Sequence, residues 1–243
     1  MPWSRRLSAP KYFLGGVVLV AWLCSALFAQ ETTPATPTPT PTPPPAPPAP
    51  VIMIDAAHGG SESGAVLAPD ILEKDLTLAF ARRLRQDLLS RGLQAHLLRD
   101  GDVQLSTDQR ASIANSMHPA LYICVHMSSQ GIGLRIFSGM LTGRGDNRGP
   151  FVSWPTAQSV SLARSRSLQQ QLTEAVQKTR FPIRSLTAAV RPLNTLTLPA
   201  LAVEIAPANG QVSQLGSADY QNMVSAVLAN AISTTRSRLE SNR

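Results

Sequence analysis

Val51-Ile-Met-Ile-Asp-Ala-Ala-His-Gly-Gly60 is the stretch from which the rest of this chain can be read. An apolar run closes on an aspartate and then on small, polar and glycine residues, which is the pattern of a strand buried on both faces. Helical spacing follows from about Glu73 to Arg91: Leu76, Phe80, Leu84 and Leu88 recur every fourth position, acids occupy the first turn, and Gly92 ends the run. Further strands are expected at Ala95 to Leu98, Leu121 to His126, Leu134 to Phe137 and Ala200 to Ile205. Helices are expected at Thr107 to Asn115, at roughly Thr156 to Thr179 and from about Ala218 to Leu239. Alternating apolar strands and helices predict an α/β fold, a mainly parallel twisted sheet with helices on both faces. Chemistry in such sheets collects beyond the carboxyl ends of the strands.

Outside this domain the composition changes sharply. Of 20 prolines in 243 residues, ten fall between Glu31 and Pro50. That Pro/Thr-rich stretch cannot build a core and reads as a disordered, extended linker. Ahead of it, Arg5, Arg6 and Lys11 precede an apolar run from Phe13 to Ala29. This is the layout of a signal peptide cut after Ala29, or of an uncleaved N-terminal membrane anchor. The expected organisation is therefore a signal or anchor at 1–30, a linker at 31–50 and one domain at 51–243. Export would place that domain outside the cytoplasm, in the periplasm or cell envelope. The averages exclude an intrinsically disordered protein, a polytopic membrane protein and a disulfide scaffold, since Cys24 and Cys124 are the only cysteines. Cys124, inside an apolar strand, reads as a small buried hydrophobe. The net charge of +7 and the arginines of Leu162-Ala-Arg-Ser-Arg-Ser167 could suggest nucleic acid, but export argues against it and no nucleic-acid partner is expected.

Four residues are placed where chemistry is expected. His58 follows the first strand, His126 closes the strand Leu121-Tyr-Ile-Cys-Val-His126, Glu204 interrupts the apolar run Ala200-Leu-Ala-Val-Glu-Ile205, and Glu73 opens the first helix. Two imidazoles and a carboxylate from separate elements form a usual zinc ligand set, with a fourth position left for water. The remaining carboxylate can act as a base. Taken singly, a strand-end histidine is more often structural, and Glu73 suits a helix N-terminus through the dipole alone. Glu204 is harder to dismiss, because a carboxylate in an apolar strand is costly without a partner.

These segments resemble the zinc-dependent N-acetylmuramoyl-L-alanine amidases, the amidase type 3 group of cell-wall hydrolases. Val51 to Ala65 is similar to that family's opening strand and D-P-G-H-G-G loop. Leu72-Glu-Lys74 is similar to its E-K segment, and Leu98-Arg-Asp-Gly-Asp102 to its T-R-x-x-D strand end. Arg110 to Asn115 resembles its R-x-x-x-A-N helix, Leu121 to His126 its S-I-H strand, and Leu198 to Glu204 its P-A-x-L-V-E segment. The resemblance implies Zn2+ held by His58, Glu73 and His126, with Glu204 as catalytic base and Asp55 orienting His58. The reaction it implies is hydrolysis of the amide between the lactyl group of N-acetylmuramic acid and L-alanine. Peptidoglycan is the expected partner; a protein activator and membrane attachment through residues 13–29 are further candidates. Ala56 and Ala57 replace the family's proline and glycine, and Met127-Ser-Ser129 replaces A-N-S, so the loops after both histidines are expected to differ in shape. The rival expectations are a non-catalytic peptidoglycan-binding module of the same fold and a zinc peptidase cutting within the stem peptide.

Overall fold

The computed structural model describes residues 49–141 and 153–240. The expected leader, and the linker up to residue 48, lie outside the described residues. Contacts divide the chain into units at 1–46 and 47–243, and every described element belongs to the second. Among the described residues no helix is long and apolar enough to cross a membrane.

Strand β1 (Val51–Ala56) is followed by a short hairpin, β2 (Val66–Ala68) and β3 (Ile71–Leu72), and by helix α1 (Glu73–Ser90). Then come β4 (Gln94–Leu97), α2 (Thr107–Met117), β5 (Leu121–Met127) and β6 (Gly133–Gly139). The chain closes with α3 (Leu162–Gln177), β7 (Ile183–Ala188), β8 (Ala200–Ala206), α4 (Ala218–Thr234) and α5 (Arg236–Glu240). Six strands form one sheet in the order β4-β1-β5-β8-β6-β7. The first four are mutually parallel, as expected, while β6 runs antiparallel to β8 and carries β7 parallel to itself. Only Ser128 to Ile132 separate β5 from β6. That span is too short for the crossover that a parallel return would need, so the chain turns back.

Strand alternation divides the core between the two faces. Ile52, Ile54, Ile123, Val125, Leu201 and Val203 meet Phe80, Leu84 and Leu88 of α1, Leu172 of α3 and Leu228 of α4. The other face is thinner: Met53, Tyr122, Cys124 and Ala202 lie under Ala111 and Ala114 of α2 and under Leu193 and Leu196. The first turn of α1 carries Glu73 and Asp75, favourable beside the helix dipole. Ser106 and Gln109 form a reciprocal capping box at the start of α2.

The single helix expected over 156–179 is two pieces, a 3-10 segment at Trp154–Val160 and then α3. Tertiary hydrogen bonds set the break: the Gln158 amide donates to the carbonyls of Leu196 and Leu198, and the Ser161 hydroxyl to that of Thr197. Likewise the expected closing helix divides at Thr235 into α4 and α5.

A buried charge cluster fixes the carboxyl end of β1. Asp55 is fully buried, and both Arg110 and the Tyr122 hydroxyl donate to its carboxylate. Burial pushes the carboxyl's pKa above its usual value, and Arg110 and Tyr122 offset only part of that rise. The same Arg110 donates to the carbonyls of Ala56 (3.0 Å), His58 (2.7 Å) and Leu105 (3.0 Å). Arg110→Ala would leave Asp55 buried without its counter-ion, a change that costs about 3–5 kcal/mol. A melting-temperature drop of roughly 10 °C is expected by circular dichroism; a shift within about 2 °C would show that the pair does not hold the domain together.

Candidate metal centre

The loop after β1 is shaped by what captures its carbonyls. Arg110 takes two of them. Arg99, also buried, donates to Ala56 (2.8 Å), Ala57 (3.0 Å), Gly101 (2.9 Å) and Lys74 (2.9 Å). Beyond them Gly59 and Glu62 exchange backbone hydrogen bonds. The Gly60 amide donates to Asp102 (2.7 Å), whose other oxygen pairs with Lys74 (2.7 Å). The alanines at 56 and 57 therefore do not leave the loop unsupported. His58 sits at its apex with φ +63°, a conformation uncommon outside glycine. Among the described contacts, Asp55 reaches it only through Arg110, whose other end holds the His58 carbonyl.

Three of the four predicted residues converge. His58 and Glu73 approach through Nε2 and Oε2 at 3.1 Å, and His126 and Glu73 through Nδ1 and Oε1 at 3.0 Å. The two rings stand edge to face with centroids 5.5 Å apart. One donor atom from each residue falls within 4.8 Å of the others, close enough for the set to hold a metal ion. Its chemistry, two imidazole nitrogens and a carboxylate oxygen, suits zinc. Gly64 confirms that the cradle is tight: a Cβ there would lie 2.5 Å from His58 Cδ2 and 2.7 Å from Glu73 Oε2.

The carboxylate is itself positioned. Glu73 is 5% exposed and accepts from the backbone amides of Ala65 (3.0 Å) and Met127 (3.2 Å). Burial alone would raise its pKa, but the contacts with His126, His58 and the Ala65 amide outweigh it and hold the carboxyl far below the usual range. For His126, burial opposes the imidazolium, and contact with Cys124 and Glu73 overrides it, raising the pKa to about 10. Cys124 is buried, as the sequence suggests, but its Sγ lies 3.5 Å from His126 Nε2 and so touches the site.

Glu204 stands one strand away. It is the register partner of His126 across β5 and β8, so the two side chains leave the same face of the sheet. On its other side it pairs in register with Arg135 of β6, and their side chains form an ion pair. Arg135 was not marked by the sequence, since its partner lies 69 residues away on a strand whose register no local pattern reveals. Burial and then the neighbouring Arg184 lower the Arg135 pKa. A shallow cavity of about 110 Å³ opens beside His58, His126, Cys124 and Pro192. A larger one, about 550 Å³, lies beside Arg135 and Arg184.

Comparison with known proteins bears on the family and the fold. Over 76 residues, 31% of this chain and 26% of the relative, the sequence is 33% identical to N-acetylmuramoyl-L-alanine amidase AmiA of Escherichia coli. The chain spans well under half the length of the curated amidases it matches. Its fold is that of the catalytic domain of the amidase CwlV from Bacillus (Paenibacillus) polymyxa, with TM-score 0.58 and 23% identity, covering 76% of this chain and 97% of that one. It is also that of the amidase Ami1 from Mycobacterium smegmatis, with TM-score 0.61 and 17% identity, covering 79% and 97%. The amidase type 3 family model, described as N-acetylmuramoyl-L-alanine amidase, matches residues 52–234, and the chain belongs to that family.

Proposed function

We propose that this chain is an exported, zinc-dependent peptidoglycan amidase that hydrolyses the bond between the lactyl group of N-acetylmuramic acid and L-alanine. The observation that carries the reading is the convergence of His58, Glu73 and His126 donor atoms within 4.8 Å, with Glu204 beside His126 in register, in a chain of the amidase type 3 family. His58, Glu73 and His126 hold the ion. Zinc, when bound, supplies Lewis acidity toward the scissile carbonyl and toward water. Glu204 takes the proton of the attacking water and passes it to the departing amine of L-alanine, the two halves of general acid–base work. Arg135 keeps the Glu204 carboxylate oriented through their ion pair. The leader and the linker deliver this domain to the envelope and hold it at a distance from the membrane. Cell-wall remodelling during division, with or without a protein activator, is the setting that suits such an enzyme.

The decisive assay incubates the purified full chain with peptidoglycan, with and without a chelator. New free L-alanine amino termini, lost on chelation and restored by zinc, are expected. Stoichiometric zinc without turnover would leave the non-catalytic peptidoglycan-binding module as the reading. Products cut within the stem peptide, seen by mass spectrometry, would make the chain a peptidase.

Glu204→Ala should lower turnover by about 10²–10⁴-fold with zinc content unchanged by elemental analysis. His58→Ala should lose both zinc and turnover. Loss of zinc from Glu204→Ala would instead make that residue a ligand.

Metal uptake should depend on pH through His126. Contact with Cys124 and Glu73 favours its imidazolium, and an ion needs the neutral imidazole. Zinc binding is then expected to release a proton from this group, and zinc affinity to fall as the pH is lowered. Calorimetry in buffers of different ionisation enthalpy measures the proton released. Uptake without proton release would show that His126 is neutral before the metal arrives.

A further inference from the structure

The register places four chemically distinct side chains in one row across the sheet. His126 pairs with Glu204, Glu204 with Arg135, and Arg135 with Arg184 of β7. Register partners share a face, so the row runs from a metal ligand, through the candidate base, to two guanidinium groups at the sheet edge. Because β6 and β7 run opposite to β8, their amino-terminal ends lie at the same end of the sheet as His126 and Glu204.

The first of these arginines is held in place. Its Nη2 donates to the Gln130 carbonyl at 2.7 Å while the guanidinium also pairs with Glu204. A Cβ at Gly131 would lie 3.0 Å from its Nη1, so glycine is what lets the backbone pass this close. Its Nε is buried without a hydrogen-bond partner among the described residues. Arg184 is exposed, and no acidic side chain pairs with it among the described residues. Two cations on adjacent strands repel each other unless an anion lies between them. They flank the cavity of about 550 Å³, whose remaining lining is Gly131, Ile132, Pro182 and Ile183.

Resting on the amidase reading above, we propose that Arg135 and Arg184 form a subsite that binds a carboxylate of the stem peptide on the leaving side of the scissile amide. Three strand spacings put the Arg184 backbone roughly 14 Å from that of His126. An extended peptide covers at most about 3.6 Å per residue, so the carboxylate recognised belongs to a residue two to four positions along from the cut. The planar fork of arginine suits a carboxylate bidentately, and the Glu204 pair leaves part of the Arg135 fork for a second acceptor. Arg184 then sets which peptides are preferred, and the residues nearer the ion set what is done to them.

The test uses the zinc-loaded full chain and two soluble muropeptides that differ only in whether the stem carboxylates are free or amidated. The unaltered chain should favour the free acid through KM. Arg184→Gln should lose about tenfold in that preference, the scale of one charge-assisted hydrogen bond, and Arg184→Lys should recover part of it. Calorimetric binding of the released stem peptide should show the same order without any turnover. An unaltered chain that cleaves both substrates with equal KM, or an Arg184→Gln chain that keeps the full preference, overturns the subsite. Absence of cleavage of either substrate by the unaltered chain would overturn the amidase reading itself.

Discussion

Everything at the site depends on a carboxylate that has no access to water. Asp55 is fully buried at the end of β1, and a buried charge is tolerable only where its partners are close and its hydrogen bonds are made. Arg110 answers it from α2 and Tyr122 from β5, which ties together two strands and the helix on the thin face of the sheet. The guanidinium has donors left over, and these take the carbonyls of Ala56 and His58. Arg99 secures the remaining turn. The loop that presents His58 is thus an extension of the core's electrostatics, although it lies at the surface.

The second determinant is strand polarity. Parallel strands β1, β5 and β8 bring the ends of three apolar runs to one end of the sheet, which is where His58, His126 and Glu204 gather. The short turn after β5 then forces β6 to return in the opposite sense. Had β6 been parallel, its amino-terminal residues would lie at the far end, and Arg135 could not reach Glu204. The Arg135–Glu204 ion pair therefore depends on one departure from a parallel sheet as much as on the parallel part.

Much of this was legible in the sequence, because the informative signals were local. Val51 to Asp55 and Leu121 to Val125 are continuous apolar runs, and buried parallel strands leave that trace. His58, Glu73 and His126 stand at or beside strand or helix ends that periodicity marks, and Glu204 stands out as a charge inside an apolar strand. The segments that resemble the amidases turn out to include the loop's supports: Lys74, Arg99, Asp102 and Arg110 all bind the turn around His58. Asn115 ties α2 to the chain before β8 through Thr195 and Thr197. What was illegible was non-local. Ile183-Arg-Ser-Leu-Thr-Ala188 is an exposed edge strand without a continuous apolar run, and the β2–β3 hairpin has three residues on one side and two on the other. The division of the 156–179 region follows from bonds to carbonyls nearly forty residues away. Arg135 carried no signal because its meaning lies entirely in its neighbours across the sheet.

The clamp on the His58 loop separates two tasks that small metal domains often combine. In a zinc finger the ion gathers its ligands, and folding waits for it. Here Arg99 and Arg110 hold the turn that carries His58, and the amides of Ala65 and Met127 hold the Glu73 carboxylate. Much of the ordering entropy of these three side chains is therefore met by contacts that the fold itself supplies.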